Sequence, residues 1–209
     1  MDTILSDKVE KGLVLPLMEA FYTLQGEGKH TGKAAYFIRV GGCDVGCHWC
    51  DVKESWNPSL HPPTAIEDIV SEAKKYSDTI VITGGEPLMW NMAPLTNLLV
   101  QEGFTIHLET SGAYPLTGHF DWVCLSPKKN KPPLASLYSS ADELKVIIFN
   151  HNDFLWAEQH AALVKNACDL FIQPEWSKRE EMIPIMVNYA MDHPKWRIGL
   201  QTHKYLHIP

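Results

Sequence analysis

The chain has 209 residues, 18 Lys+Arg against 25 Asp+Glu for a net charge of −7, and 45% hydrophobic residues. The acidic balance excludes the basic footprint of a nucleic-acid binder, and no apolar run approaches the ~20 residues of a membrane-spanning helix. The length fits one domain over residues 1–209.

In chain order, the opening stretch MDTILSDKVEKG lacks the basic-then-apolar order of a signal peptide, so a cytoplasmic location is expected. Strand character appears at residues 15–21 and 34–40, with the glycine-rich loop FYTLQGEGKHTGK leading from one to the other. This loop lacks Walker spacing and alone reads as a hairpin connection. A helix is expected next. Ile66, Ile69, Val70 and Ala73 follow one-sided helical spacing, and Thr64 with Glu67 forms a capping box after Pro62-Pro63. Further strands at 79–83, 104–108, 122–125, 144–149, 169–172 and 196–200 are interspersed with helices at 94–102, 153–166 and 179–192. Pro94 near the start and Gly103 past the end bracket the first of these helices. The only dense basic run, KKNK at 128–131, reads as solvated loop.

This alternation predicts an α/β fold of mostly parallel strands with helices outside. About eight strands in this length are too few residues for a full eight-fold barrel, which takes roughly 250. An abbreviated or partial TIM-type (β/α) barrel fits, with its site at the C-terminal strand ends.

Five cysteines are present, an odd number, and Cys43, Cys47 and Cys50 fall within eight residues directly after the strand AAYFIRV. A disulfide framework is expected to be even and dispersed. Three clustered thiols read as metal ligands, and a complete zinc or simple electron-transfer site takes four. Three ligands leave a metal position open to substrate or cofactor. The alternative is a zinc knuckle completed by His30 or His48. Cys124 in a strand and Cys168 at a helix end read as buried small apolar residues.

The C-x3-C-x2-C spacing resembles the radical S-adenosylmethionine superfamily. Thr83-Gly84-Gly85-Glu86-Pro87, at the end of the strand TIVIT, strengthens that resemblance. LQGEG, YFIR, the cysteines, TGGEP, HLETSG, LSPK, DELK, FIQPE and QTHKYLHIP then run in order along the chain. Together they closely resemble the 7-carboxy-7-deazaguanine synthase family, radical enzymes of queuosine and 7-deazapurine biosynthesis.

The resemblance implies a carbon–nitrogen lyase, with 6-carboxy-5,6,7,8-tetrahydropterin as substrate and 7-carboxy-7-deazaguanine plus ammonia as products. It implies a 4Fe-4S cluster on Cys43, Cys47 and Cys50, with S-adenosylmethionine on the open iron. Trp49, Cys50 and Asp51 are implied to line the cofactor pocket, and Gly85 and Glu86 to hold the cofactor amino group. Ser126, Pro127, Lys128, Gln173, Pro174 and Glu175 meet the cofactor at other strand ends, with Thr110 and Ser111 as further contacts. Leu24, Gln25, Gly26 and Glu27 are implied to recognise the pterin, with contacts from Thr83, His203 and Pro209. Arg39 is expected to take the substrate carboxylate in bidentate fashion, since an unpaired buried charge is costly; a structural ion pair is the other reading. The tail is expected to close the site, its terminal carboxylate accepting substrate N–H groups.

One residue departs from the family pattern, in which Thr follows the Asp after the last cysteine and ligates Mg²⁺. Here the pair is Asp51-Val52, which weakens the expected Mg²⁺ site near Asp51. The family also implies a homodimer and an electron donor such as flavodoxin or ferredoxin, with no nucleic-acid or membrane partner. Two other readings remain at this stage: a glycyl-radical activating enzyme, and a non-enzymatic metal-binding module.

Overall fold

A computed structural model describes residues 3–209, with side chains from Leu5 onward. Met1 and Asp2, where the segment read for a leader begins, lie outside the described residues. Nine strands form one sheet: β1 (Val14–Leu24), β2 (Ala34–Val40), β3 (Pro63–Ala65), β4 (Thr79–Gly84), β5 (Thr105–Thr110), β6 (Trp122–Leu125), β7 (Glu143–Ile148), β8 (Asp169–Pro174) and β9 (Trp196–Ile198). Their spatial order is β3-β1-β2-β4-β5-β6-β7-β8-β9. Every pairing from β2 to β9 is parallel. β1 runs antiparallel to both β2 and β3, so the chain begins as a hairpin rather than a parallel unit. The helices are α1 (Thr3–Glu10), α2 (Ile66–Ala73), α3 (Ala93–Gln101), α4 (Ala135–Ser140), α5 (Asn152–Ala161), α6 (Arg179–Asp192) and α7 (Thr202–Leu206). Because β3 and β9 end the order without pairing to each other, the sheet is an abbreviated (β/α) barrel and stays open.

Successive side chains of a strand point to opposite faces, and the two faces here differ in chemistry. Tyr36, Ile38 and Val40 of β2, Ile80 and Ile82 of β4, Ile106 and Leu108 of β5, and Leu144, Val146 and Ile148 of β7 join the helices in one core. Each such buried side chain contributes about 1.5–3 kcal/mol of hydrophobic stabilisation. The intervening positions face the inside of the half-barrel. Ala35, Phe37 and Val81 make a small apolar patch there with Phe21. Farther along, the same parity carries His107, Glu109, Cys124, Glu143, Lys145 and Gln173. The inner face thus begins apolar under β2 and β4, with Arg39 and Thr83 farther along them, and is polar under β5 to β8, its charges on β5 and β7.

The loop from Gln25 to Lys33 joins the β1–β2 hairpin at the N-terminal end of β2, opposite the cysteines. His30 packs there against His107 and Trp122, with ring centroids 4.4 and 4.7 Å away. Trp122 opens β6, so His30 sits at the far end of the strands from the cysteine loop and cannot complete a zinc knuckle with it.

Three local expectations are corrected. No capping box forms on α2: its cap residue is Ala65, with no side-chain cap bond, and the Thr64 hydroxyl donates to the Pro62 carbonyl at 3.1 Å. Thr64 is instead drawn into β3, paired with Leu15. Cys168 does not end a helix. α5 stops at Ala161, and Cys168 lies buried in the turn before β8. The KKNK run is not free loop. The Asn130 side chain donates to Gly46 O at 2.6 Å, and Lys131 pairs with Asp44 at 2.8 Å. Thr64→Ala is therefore expected to change unfolding free energy by less than about 0.5 kcal/mol in chemical denaturation, whereas loss of a working cap costs about 0.5–2 kcal/mol.

Candidate active site

A cavity of about 340 Å³ opens at the C-terminal ends of the strands. Cys43, Cys47 and Cys50 line it, together with Trp49 and Asp51. The end of β4 adds Thr83 and Gly85, the end of β6 adds Ser126 and Lys128, and β8 adds Gln173 and Pro174 with Glu175 just beyond. From the opposite side come Leu24, Gln25, Gly26 and Glu27, with Arg39 from β2 and His203 and Pro209 from the tail. Residues spread over the whole chain are brought to one chamber because parallel strands discharge their loops on the same side. Thr110 and Ser111 also reach it. Pro127 does not: it lines a smaller neighbouring cavity of about 120 Å³, with Cys47 and Lys128 between the two.

The cysteine loop is braced from three directions. Gly42 N donates to Ser55 O at 2.6 Å and Cys43 N to Trp56 O at 3.1 Å. The Trp90 indole donates to Gly41 O at 2.8 Å, and Asn130 and Lys131 clasp Gly46 and Asp44 as described. The end of β4 approaches so closely that a Cβ on Gly85 would collide with Gly42 O and Cys43 Cβ. That approach lets Gly85 N donate to Val40 O and Glu86 N to Gly42 O, at 3.0 and 2.8 Å. The three thiols are free and partly exposed. Burial raises those of Cys43 and Cys47 above the ordinary thiol range. Three unpaired thiols on one cavity wall, with no fourth beside them, are the donor set a cluster with an open iron requires. His48 rests against Phe149, ring centroids 5.7 Å apart, and lines the smaller cavity.

Glu86 is the one acidic residue expected in the cavity that lies behind its wall. It is 1% exposed. One oxygen accepts from Thr110 Oγ1 at 2.6 Å and Leu88 N at 3.0 Å. The other accepts from Ser111 N at 2.8 Å and from the Ser111 hydroxyl. Its four bonds fill a carboxylate's acceptor capacity. Glu86 ties the end of β4 to the end of β5 and presents Ser111 to the cavity.

The opposite wall is ionic. Lys145 Nζ donates to Glu27 Oε2 at 2.6 Å and Glu109 Oε2 at 2.8 Å. The Gln25 amide donates to Glu109 Oε1 at 3.2 Å, and its carbonyl accepts from Glu27 N at 3.1 Å. Burial alone would raise the Glu27 pKa, but the Lys145 charge and hydrogen bond outweigh it and hold the carboxyl at about 2. Arg39 reaches the same cavity from β2 and pairs with Glu19, Nε to Oε1 at 2.7 Å, with its guanidinium 6.0 Å from the Phe21 ring.

The tail folds over this wall. Thr202 N donates to Gly26 O at 2.9 Å, and Tyr205 packs edge-on against Trp176, centroids 5.3 Å apart. Lys204 Nζ holds Asp51 Oδ2 at 2.8 Å. Burial works to raise the Asp51 pKa, and the Lys204 bond and charge prevail to lower it. Beside it the Val52 side chain carries no oxygen, and its carbonyl accepts from the Ser55 hydroxyl at 2.7 Å.

Glu109 and Lys145 are the functional candidates that motif reading passed over, although HLETSG and DELK contain them. The available signal was an ionisable residue inside an apolar strand, which requires a partner.

Comparisons with known proteins agree with this geometry. The family model of the radical SAM superfamily matches residues 37–122. The 7-carboxy-7-deazaguanine synthase of Flavobacterium psychrophilum is 66% identical over 201 residues, covering 96% of each chain. That of Synechocystis is 49% identical over 194 residues, 92% of this chain and 93% of the relative. The crystal structure of QueE from Escherichia coli superposes with a TM-score of 0.81 at 28% identity, over 97% of this chain and 100% of that one. The chain therefore belongs to the 7-carboxy-7-deazaguanine synthase family.

Proposed function

We propose that this chain converts 6-carboxy-5,6,7,8-tetrahydropterin to 7-carboxy-7-deazaguanine with release of ammonia. The observation that carries this reading is a single cavity with three free thiols on one side and a fixed ionic wall on the other. Residues 1–209 act as one radical SAM domain, since a single sheet carries the loops that wall the site, with the N-terminal loop and the tail closing it. Bound on Cys43, Cys47 and Cys50, a 4Fe-4S cluster supplies one-electron cleavage of S-adenosylmethionine and hence a hydrogen-abstracting radical. The chain binds, orients and shields.

Trp49, Gly85, Ser126, Lys128, Gln173, Pro174 and Glu175 hold the cofactor around the thiol wall. Glu27 accepts N–H donors from the amino edge of the pterin, and Gln25, Gly26, Leu24 and Thr83 shape the ring slot. Arg39 takes the substrate carboxylate, exchanging its half-exposed partner Glu19 for a ligand anion. His203 and Pro209 cover the ring. An electron donor such as flavodoxin or ferredoxin reduces the cluster, and the enzyme works as a cytoplasmic homodimer. The free state of all five cysteines supports a reducing compartment. Among the described residues, no helix is long and apolar enough to cross a membrane.

Anaerobic incubation with carboxytetrahydropterin, S-adenosylmethionine and dithionite tests the reading, with the product identified by mass. Product is expected from wild type and from Cys124→Ala and Cys168→Ala. Cys43→Ala, Cys47→Ala and Cys50→Ala are expected to lose both the brown cluster and turnover. Cofactor cleavage without this product would instead favour an activating enzyme, and one zinc in place of about four irons would sink the radical reading.

Two substitutions probe the substrate side. A Cβ on Gly26 would overlap the His203 ring and its Cβ. Gly26→Ala should raise the Michaelis constant for the pterin about tenfold or more, with cluster content and cofactor affinity unchanged. Val52→Thr restores a ligand oxygen beside Asp51. Stronger Mg²⁺ stimulation is expected in that variant than in wild type, and identical titrations would remove residue 52 from control of the metal.

A further inference from the structure

The charged inner face contains one cation that no cofactor or substrate role has yet used. Lys145 projects from the middle of β7, its side chain 7% exposed. Its two carboxylate partners come from unrelated parts of the chain, Glu27 from the β1–β2 loop and Glu109 from β5. The surrounding groups are those of every element packed on this face: Glu143 on β7, Cys124 on β6, Gln173 on β8 and His203 on α7. Glu143 is already committed, accepting from Lys29 N at 2.9 Å and from Cys124 Sγ at 3.5 Å. Glu27 belongs to a short loop, and Lys145 is the cation that grips its carboxylate, with Gln173 and His203 beside it.

We propose that Lys145 is the positioning residue for pterin recognition, clamping Glu27 at the cavity wall so that its remaining acceptor capacity meets the N–H edge of the ring. The inference rests on the substrate reading above. An ionised carboxylate offers about four acceptor sites, and the bond to Lys145 occupies one, so the contact with the lysine does not compete with a ligand. Glu109 fixes the ammonium from the other side, and Gln25 fixes Glu109. Glu27, Lys145, Glu109 and Gln25 thus form a closed ring, because Glu27 N donates back to the Gln25 side chain. One cation against two carboxylates leaves this ring of side chains with one net negative charge, which favours a donor-rich ring edge over an acceptor-rich one. A guanine-like amino edge fits; an edge bearing carbonyl oxygen in its place is repelled.

The test compares wild type with Lys145→Met, Lys145→Arg and Lys145→Gln, each reconstituted anaerobically. Lys145→Met should raise the Michaelis constant for carboxytetrahydropterin about 30-fold or more, the scale of losing one partner of a buried charge pair. Its iron content and its affinity for S-adenosylmethionine should match wild type. Lys145→Arg, which keeps the charge, should recover most of the loss. Lys145→Gln keeps a hydrogen-bond donor but no charge, so its Michaelis constant should fall between those of Lys145→Met and Lys145→Arg. This variant keeps the test decisive if Lys145→Met fails to fold. A wild-type Michaelis constant in folded Lys145→Met or in Lys145→Gln would overturn the inference. Wild type that cleaves the cofactor but leaves the pterin unchanged would overturn the substrate reading itself.

Discussion

Burying a lysine between two carboxylates is the constraint around which the rest of the chamber is built. A charge taken out of water is tolerated only when paired and hydrogen-bonded, and Lys145 is buried in the middle of a strand. Its partners must come from elsewhere, which dictates that β5 lie two strands away and that the β1–β2 loop enter the half-barrel. Once Glu27 is drawn in, the loop carrying Gln25 and Gly26 follows. The tail then packs on that loop through Thr202 and Gly26. The open sheet is thus closed by loop and tail rather than by further strands.

The thiol wall follows a different logic. It stands on irregular backbone and is held by hydrogen bonds to carbonyls from neighbouring loops. Glu86 illustrates the division of labour. A carboxylate expected to meet the cofactor directly instead has its oxygens filled by Thr110, Ser111 and Leu88. It makes the floor on which Ser111 stands, and joins two strand ends that the parallel sheet only brings near each other. The KKNK run has a similar part: Asn130 and Lys131 reach across to the cysteine loop, so a basic surface stretch becomes a brace.

Much of the architecture was legible in the chain because its signals are local. Alternating apolar residues located the strands within a few positions, and Ile66, Ile69, Val70 and Ala73 are all buried on α2 as their spacing required. The missed elements are those without a local signal. β3 is three residues containing a proline and exists because β1 offers it an edge. Thr64 was claimed by that edge and so could not cap α2. The antiparallel course of β1 was signalled only by the hairpin reading of the loop after it, since a strand's own periodicity carries no direction.

The sequence by itself determined the thiol set, the glycine pair beside it, the strand and helix alternation, and the end of the sheet at which the site must form. Each depends on residues adjacent in the chain. Only the tertiary structure decided which charges meet: Lys145 with Glu27 across 118 positions, Lys204 with Asp51 across 153, and Glu86 with Ser111 rather than with the chamber. Those pairings depend on sheet register and on which loop enters the half-barrel. Both arise from packing between segments far apart in the chain, where the linear pattern is silent.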